Sequence, residues 1–185
     1  MLEFNGKKYA RVSEIVTPPG CFDHIDPTVL KKKAQVGTEV HDAIHDELTE
    51  CFPIVNSRTE KYFTSFLEWL KVISPFQVIE SEKRYFCDDK MITGQIDGLI
   101  TIAGEKLPTL IDFKTSAQAS PSWQLQGHLY HYMISKHSEQ ISPRFLFVKL
   151  NPNGGLPTVI EYHFNKNTLN HCFDLVDSYW AKNKS

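Results

Sequence analysis

The chain has 185 residues, of which 41% are hydrophobic and 23% are charged. These are ordinary values for a globular protein, and the length suits one domain with its own core, which we place at residues 1–185. The formal net charge is −2. This charge argues against a module that holds nucleic acid by overall charge alone, because such modules are usually basic.

No window approaches the roughly 18 apolar residues that predict a transmembrane helix, and the N-terminus lacks an apolar run typical of a signal peptide. We therefore expect no membrane partner and a cytoplasmic location. The four cysteines lie far apart, and none belongs to a CxxC pair. This spacing indicates free thiols rather than a structural zinc site or an iron–sulfur cluster.

The predicted elements begin with a small hairpin at residues 2–12, because alternating residues flank the turn-forming pair Asn5-Gly6. A loop rich in proline and glycine, residues 17–27, follows it. Apolar residues then recur every three or four positions over about residues 28–51. That period predicts a long helix.

A second helix is predicted next, with Ser57 as its N-cap and Glu60 as the capping-box partner. The period then changes, and three strands are predicted in succession. They cover about residues 75–86, 90–104 and 106–114. The last contains the continuous apolar run of a buried strand.

The remaining elements complete an alternating pattern. Ser120 or Ser122 begins a helix, two strands follow at about residues 143–150 and 157–164, and a closing helix covers about residues 166–182. A run of antiparallel strands followed by a helix and further strands predicts an α/β fold with a mixed sheet.

The first long helix contains HDAIH, which is one methylene short of the zinc-hydrolase signature HExxH. A zinc hydrolase would use His41 and His45 as ligands and Asp42 as its base. The shorter aspartate misplaces that base, and small misplacements are costly in catalysis. This hypothesis also gives no role to the charged residues of the strands.

Those strand residues form a second candidate site. Asp112 and Lys114 are two positions apart on one predicted strand and therefore share a face, whereas Phe113 faces apolar packing. Asp97 lies on the preceding strand, close enough across the sheet for two carboxylates to share a cation. Hard divalent ions held by carboxylates suit phosphodiester hydrolysis, and a lysine beside them can orient water or stabilise negative charge.

Five short motifs follow one another in a recognisable order: GTEVH, an acidic strand position in IESEK, GQID, IDFKTS and QGHLY. In this order they resemble the motifs of the PD-(D/E)xK nuclease superfamily, in its RecB-like branch. The likeness is greatest to phage-type exonucleases and the mitochondrial genome maintenance exonuclease, and it runs from about residue 9 to residue 134. The matching residues are His41, Glu82, Asp97, Asp112, Lys114, Gln126 and Tyr130.

The resemblance implies a restriction-endonuclease-like three-layer core, with a central mixed β-sheet flanked by helices. It implies that His41, Asp97 and Asp112 bind Mg²⁺ or Mn²⁺, with the Phe113 carbonyl completing the protein ligands. It also implies that Lys114 activates the attacking water or stabilises the transition state.

The same resemblance suggests supporting roles for three further residues. Gln126 and Tyr130, one helical turn apart, would orient Lys114 or contact a phosphate. Glu82 would be a further carboxylate, because its spacing to GQID fits better than that of Glu80. We expect both glutamates to share one face of their strand.

The implied function is a metal-dependent DNA nuclease, and more narrowly an exonuclease acting on single-stranded or recessed DNA ends in recombination, repair or phage DNA processing. A homo-oligomer or a recombination or replication partner would add the grip on DNA that the net charge does not supply. A non-catalytic nucleic-acid-binding module is the other alternative. It predicts a missing lysine or carboxylate, whereas here the set is complete.

Several residues stay outside the predicted site. The lysines at residues 31–33 form a basic run, which is usually a solvated face but in a nuclease would meet the phosphate backbone. Trp123 is interpreted as a packing residue. His24, His128 and His131 are interpreted as surface or loop residues.

Overall fold

The computed structural model describes residues 1–137 and 140–183. None of the helices formed by these residues is a candidate membrane span, and all four cysteines are free thiols. The elements in chain order are β1 (Leu2–Phe4), β2 (Lys7–Arg11), α1 (Val12–Val16), α2 (Pro27–Leu48), α3 (Glu60–Ile73), β3 (Phe76–Cys87), β4 (Ile92–Ile102), β5 (Thr109–Lys114), α4 (Ser122–Ser135), β6 (Arg144–Lys149), β7 (Thr158–His163) and α5 (Lys166–Lys182).

The predicted long helices and strands are all present. The N-terminal hairpin forms around Asn5 and Gly6, whose φ angles of 49° and 71° are the positive values that a two-residue turn of this kind requires. Helix α1 was not predicted, because its five residues are too few to show a helical period.

The second predicted helix corresponds to α3, and its predicted start is wrong. Helix α3 begins at Glu60 with Thr59 as its N-cap residue, not at Ser57. The carbonyl of Asn56 accepts hydrogen bonds from the amides of Thr59 and Glu60, at 3.0 and 2.9 Å. The Asn56 side chain also accepts from the amide of Arg58 at 2.9 Å. A turn organised by Asn56 therefore occupies the position where the capping box was expected.

The described strands form one seven-stranded mixed sheet. Its main path is β1-β2-β4-β5-β6-β7, and β3 pairs with β4 along almost the whole length of both strands. Along the edge of β4 that faces away from β3, this strand pairs first with β2, near Ile92, and then with β5, over Gly98–Ile100. Residues 94–97 of β4 thus lie in a gap between β2 and β5.

Helices cover both faces of this sheet. Helices α1, α4 and α5 bury one set of apolar residues against it, and α2 and α3 bury another set against the opposite face. Three layers result, so the predicted restriction-endonuclease-like core is confirmed. Because both faces are covered, β5 and β6 are buried over most of their length.

The interpretation of His128 and His131 as surface residues is wrong. Both are buried, in helix α4. His128 Nδ1 donates to the carbonyl of Gln124 at 2.7 Å, and its Nε2 accepts from the amide of Asn165 at 3.0 Å. His131 Nε2 donates to the carbonyl of Ser142 at 3.1 Å. These contacts satisfy both ring nitrogens of His128, as burial demands, whereas the buried Nδ1 of His131 has no hydrogen-bond partner among the described residues.

Candidate active site

Helix α2 brings His41 to the sheet. The helix begins with Pro27 in its first turn, and the side chain of Asp26 accepts backbone hydrogen bonds as its N-cap. Farther along, Val40 and Ile44 are buried against the sheet. His41 follows Val40 on the packed half of the helix, so its imidazole reaches the end of the β4–β5 pairing.

The gap in the sheet positions Asp97. The described β4–β5 pairing ends at Gly98 and Ile111. One residue farther along, the Asp97 carboxylate replaces a backbone acceptor, because its Oδ2 receives the amide of Phe113 at 2.6 Å. This hydrogen bond fixes one carboxylate oxygen and leaves the other directed toward helix α2.

Three potential metal ligands converge at this point. His41 Nδ1 lies 3.1 Å from Asp97 Oδ1 and 3.5 Å from Glu82 Oε1. One ligand atom from each of these three residues lies within 4.8 Å of the other two. The residues come from α2, β3 and β4, so the grouping depends on the tertiary fold.

Glu82 and Glu80 do not share a face, which corrects the expectation from strand alternation. The strand is irregular between Val78 and Glu80, and Glu82 has a φ of 51°. A left-handed backbone is uncommon for a non-glycine residue and is concentrated at functional sites. Glu82 thereby lies beside His41, whereas Glu80 pairs with Lys83 and accepts a hydrogen bond from Tyr85.

Asp112 and Lys114 form an ion pair beside the three ligands. Lys114 Nζ lies 2.5 Å from Asp112 Oδ1. The same ammonium donates to Gln126 Oε1 at 3.1 Å, and Gln126 Nε2 donates to the Tyr130 hydroxyl at 2.9 Å. The structure thus brings the predicted Gln126 and Tyr130 into one chain of contacts that ends on the lysine.

Two aromatic rings lie near the ammonium of this lysine. Lys114 Nζ lies 5.3 Å from the ring centroid of Phe147 and 6.0 Å from that of Trp123. These rings stack on each other at 5.6 Å, and Trp123 is 5% exposed. Trp123 is therefore a packing residue, as interpreted, and it also contacts the lysine.

The site strongly perturbs its own titratable groups. Burial opposes the charging of His41, but the carboxylates of Asp97 and Glu82 outweigh it and raise the pKa of His41 well above its ordinary value. Burial also opposes the Asp97 carboxylate, yet His41 and Lys114 lower the pKa of Asp97. Burial raises the pKa of Asp112; Lys114 opposes this effect and Asp97 adds to it.

The residues fit a divalent cation. Asp97 and Asp112 are only 8% and 2% exposed, and buried carboxylates are rare unless they are paired or bind a metal. Asp112 Oδ1 has the ion-pair contact with Lys114 but accepts no hydrogen bond. Predominantly oxygen donors with one imidazole suit Mg²⁺ or Mn²⁺ better than a soft metal.

Some predicted ligands differ in their surroundings. Asp112 lies outside the group of three and faces Lys114, although it borders Asp97. The amide of Phe113 contacts the site, and the ligand role of its carbonyl remains a prediction. Among the described residues, the groups that could hold a metal do not include His45, whose Nδ1 instead lies 2.8 Å from Ser81 Oγ. Of the two histidines in HDAIH, His41 therefore belongs to the site, and His45 is a neighbouring residue.

Two residues near the site were not assigned to it from the sequence. Gln95 Nε2 donates to Glu82 Oε2, and Arg84 Nη2 donates to Gln95 Oε1, both at 2.5 Å. Gln95 belongs to the GQID motif, which was the available signal. Arg84 gave no signal beyond its charge, because its approach to the site follows from the pairing of β3 with β4.

Comparison with known proteins agrees with this geometry. The family model of the PD-(D/E)XK nuclease superfamily matches residues 28–167. That span is well over half of the chain and contains every predicted site residue, so the chain belongs to the PD-(D/E)XK nuclease superfamily. The predicted nuclease class is confirmed. No curated protein sequence matches this chain.

Solved structures share the fold at low sequence identity. The alkaline exonuclease LHK-Exo from Laribacter hongkongensis matches with a TM-score of 0.52 and 11% identity, over 94% of this chain and 87% of that chain. Its complex with dAMP matches with a TM-score of 0.51 and 12% identity, over the same shares. A candidate exonuclease from Eubacterium rectale gives 0.54 and 10%, over 95% of this chain and 79% of that chain. At identities this low, the structural similarity shows a common fold alone.

Proposed function

We propose that this protein is a metal-dependent deoxyribonuclease that acts as an exonuclease on single-stranded or recessed DNA ends, with Mg²⁺ or Mn²⁺ as its cofactor. The observation that carries the proposal is the convergence of His41, Glu82 and Asp97 beside the Asp112–Lys114 ion pair. Membership of the nuclease superfamily supports phosphodiester hydrolysis. The exonucleases of the same fold, one of them bound to dAMP, support action at DNA ends.

In this proposal, His41, Asp97, Asp112 and the Phe113 carbonyl hold the metal, and Glu82 is a further carboxylate at its edge. A hard divalent cation at this position would offset the negative charge of the phosphoryl group and make water more acidic. The two buried carboxylates suit this task, because each lies in surroundings that disfavour an isolated negative charge.

Lys114 is the proposed catalytic lysine. Its ammonium donates hydrogen bonds only, so it can orient the attacking water by its oxygen or stabilise charge that develops on the phosphate. Gln126 Oε1 accepts a hydrogen bond from this ammonium, and Gln126 Nε2 donates one to the Tyr130 hydroxyl. These two residues position the ammonium so that little reorganisation is needed during the reaction.

We further propose that residues 1–185 act as one nuclease domain in the cytoplasm, in recombination, repair or phage DNA processing. The substrate is DNA, and a homo-oligomer or a replication or recombination partner would extend the grip on it. The −2 net charge supports such an addition, because strong nonspecific binding to DNA comes mainly from cationic side chains.

The test uses end-labelled linear DNA, single-stranded and duplex, together with circular DNA of the same sequence. Each is incubated with Mg²⁺, Mn²⁺, Zn²⁺ or EDTA. We expect Mg²⁺ or Mn²⁺ to support stepwise shortening of linear DNA, with circles intact. Absence of cleavage with either metal would contradict a nuclease, and cleavage of circles would contradict an exonuclease.

Matched variants test the assigned site. Lys114→Ala and Asp112→Ala should abolish cleavage, and Glu82→Gln should reduce it. Glu80→Gln is the control for Glu82, because it removes a carboxylate from the same strand that does not face His41. Cleavage that survives Lys114→Ala would contradict the mechanism. Cleavage that requires Zn²⁺ and is lost in His45→Ala would favour the zinc-hydrolase alternative.

A further inference from the structure

The N-terminal part of helix α2 packs against little of the described protein. In residues 27–35, every side chain is exposed except Leu30, which is half-buried. Even the apolar Val29 is 44% exposed. Burial begins only at Val36 and becomes complete at Val40. We call Pro27–Gln35 the α2 arm; it extends the helix that carries His41 beyond the core.

The charge of the arm differs from that of the rest of the helix. The arm contains three consecutive lysines, residues 31–33, and no acidic residue. The remaining helix carries Glu39, Asp42, Asp46 and Glu47. No acidic residue stands three or four positions from any of the lysines, and among the described residues these lysines form no ion pair.

Helix stability does not explain this arrangement. Acidic side chains favour the N-terminal turns of a helix and basic ones the C-terminal turns, whereas α2 shows the opposite bias. Helices in proteins are stabilised mainly by packing an apolar face, which the arm lacks. The arm therefore has the composition of a surface that meets an anionic partner.

The helical period places the arm relative to the active site. At about 100° per residue, Leu30 and Ala34 lie within about 20° of His41 around the helix axis. Gly37 lies on the same side, one turn before His41. A row of uncharged side chains thus leads from the arm to the metal ligands, without a carboxylate on that face.

The lysines differ in direction around the same axis. Lys31 and Lys33 lie about 80° to either side of the His41 direction, whereas Lys32 lies about 180° from it. A strand following the uncharged row would pass between Lys31 and Lys33. Lys32 would be turned away from it, although it has the same charge and lies between the other two in the sequence.

We propose that the α2 arm binds the sugar–phosphate backbone of the DNA strand whose end occupies the active site, with Lys31 and Lys33 on either side of it. The inference rests on the proposed function and adds a second binding surface to it. At 1.5 Å per residue, the lysines lie about 12 to 15 Å from His41 along the helix. With about 3.4 Å per nucleotide of one strand, they would reach phosphates roughly four nucleotides from the scissile bond.

Binding of DNA tests the arm directly. Anisotropy of a labelled 20-nucleotide single strand is measured in EDTA, so that no cleavage occurs, over a range of salt concentrations. Lys31→Ala/Lys33→Ala should weaken binding about fivefold and reduce the salt slope by about 1.4, or about 0.7 for each phosphate that a lysine no longer neutralises. Lys31→Ala and Lys33→Ala alone should each show part of this effect. Lys32→Ala, with the same change in charge as either single variant, should bind like the wild type.

Cleavage kinetics distinguish a role of the arm in DNA binding from a role in catalysis. In the double variant we expect a raised KM for the 20-nucleotide strand, an unchanged kcat, and wild-type hydrolysis of a trinucleotide that is too short to reach the arm. Alanine preserves the helix because of its high helix propensity, and circular dichroism verifies this. The proposal is overturned if the double variant binds DNA with the wild-type affinity and salt slope, or if Lys32→Ala is impaired as much as Lys33→Ala. Failure of the wild type to cleave DNA would contradict the proposed function, while the binding comparison would still decide the arm.

Discussion

The two faces of strand β5 carry side chains with different roles. Phe113 is completely buried on one face, where the rings of Phe66 and Trp69 meet it edge-on at 5.3 and 5.4 Å. Asp112 and Lys114 occupy the other face as an ion pair in which the carboxylate is buried and the lysine is half-buried. The aromatic face holds the strand in place, so that the charged face can keep strongly interacting groups close together. Activity and stability should therefore depend on different, adjacent residues.

The largest expected effect is on the charged face. Lys114→Met keeps an unbranched apolar side chain but removes the ammonium, which lies 5.3 Å from the ring centroid of Phe147. Activity should fall about 10²- to 10³-fold, the range for loss of one donor that stabilises charge developing in the transition state. Because burial already raises the pKa of Asp112, that carboxyl can take up a proton, which limits the loss of stability. The measurement is single-turnover cleavage at saturating metal; a loss below tenfold would contradict the role of Lys114.

The opposite pattern is expected on the aromatic face. Phe113→Ala should lower the free energy of unfolding by about 3 to 5 kcal/mol, because it leaves a cavity among Phe66 and Trp69. In a protein of this size the melting temperature should fall by about 10 °C. The amide that binds Asp97 is retained, so activity per folded molecule should remain. Thermal unfolding and active-site titration check this. A variant with normal stability but no activity would contradict the view that the aromatic face serves stability and the charged face serves activity.

Gly94 and Gly98 of β4 extend the comparison to the neighbouring strand. A Cβ added at Gly94 would lie 2.3 Å from a ring carbon of Tyr130, whereas one added at Gly98 would have no neighbour closer than 3.5 Å. Gly94→Ala should therefore displace Tyr130, at a cost of about 1 to 3 kcal/mol. Because Tyr130 holds Gln126, which contacts Lys114, kcat should fall as well. Gly98→Ala is the control and should show neither effect; equal effects would refute the role of the Tyr130 contact.

The smallest effect concerns a titratable group within the packing layer. Burial lowers the pKa of His128. Its folded-state pKa is thus below its unfolded value, so its contribution to stability is complete above about pH 6.5 and decreases as the pH falls. His128→Gln should be less stable than the wild type at pH 7.5 but lose less stability between pH 7.5 and 5.5. The control is the exposed His24→Gln. Melting temperatures are measured at both pH values. An equal fall in melting temperature from pH 7.5 to 5.5 in the wild type and in His128→Gln would contradict this assignment.

The sequence revealed the elements of the site better than their local geometry. Apolar periodicity located α2, β4 and β5, and hence the strand face that carries Asp112 and Lys114. It did not reveal the flip at Glu82, because a left-handed φ at a non-glycine residue is maintained by tertiary contacts. Without that flip, Glu80 and Glu82 were expected on the same face of the strand, and only the spacing to GQID favoured Glu82.

Other differences have similar causes. Helix α1 is too short for periodicity, and the turn before α3 depends on an asparagine side chain upstream of the expected cap. The burial of His128 depends on the amide of Asn165, which is distant in sequence. Exposure of the α2 arm could not be predicted either, since its apolar residues continue the helical period of the packed half.

Binding of Mn²⁺ tests the central claim most directly, that His41, Glu82, Asp97 and Asp112 form a metal site. Electron paramagnetic resonance follows the free ion during titration of the metal-free protein. We predict saturable binding by the wild type, loss of binding in Asp97→Asn, weaker binding in Glu82→Gln and wild-type binding in Glu80→Gln. A wild type that binds no Mn²⁺, or an Asp97→Asn variant that binds it as tightly as the wild type, would contradict the account.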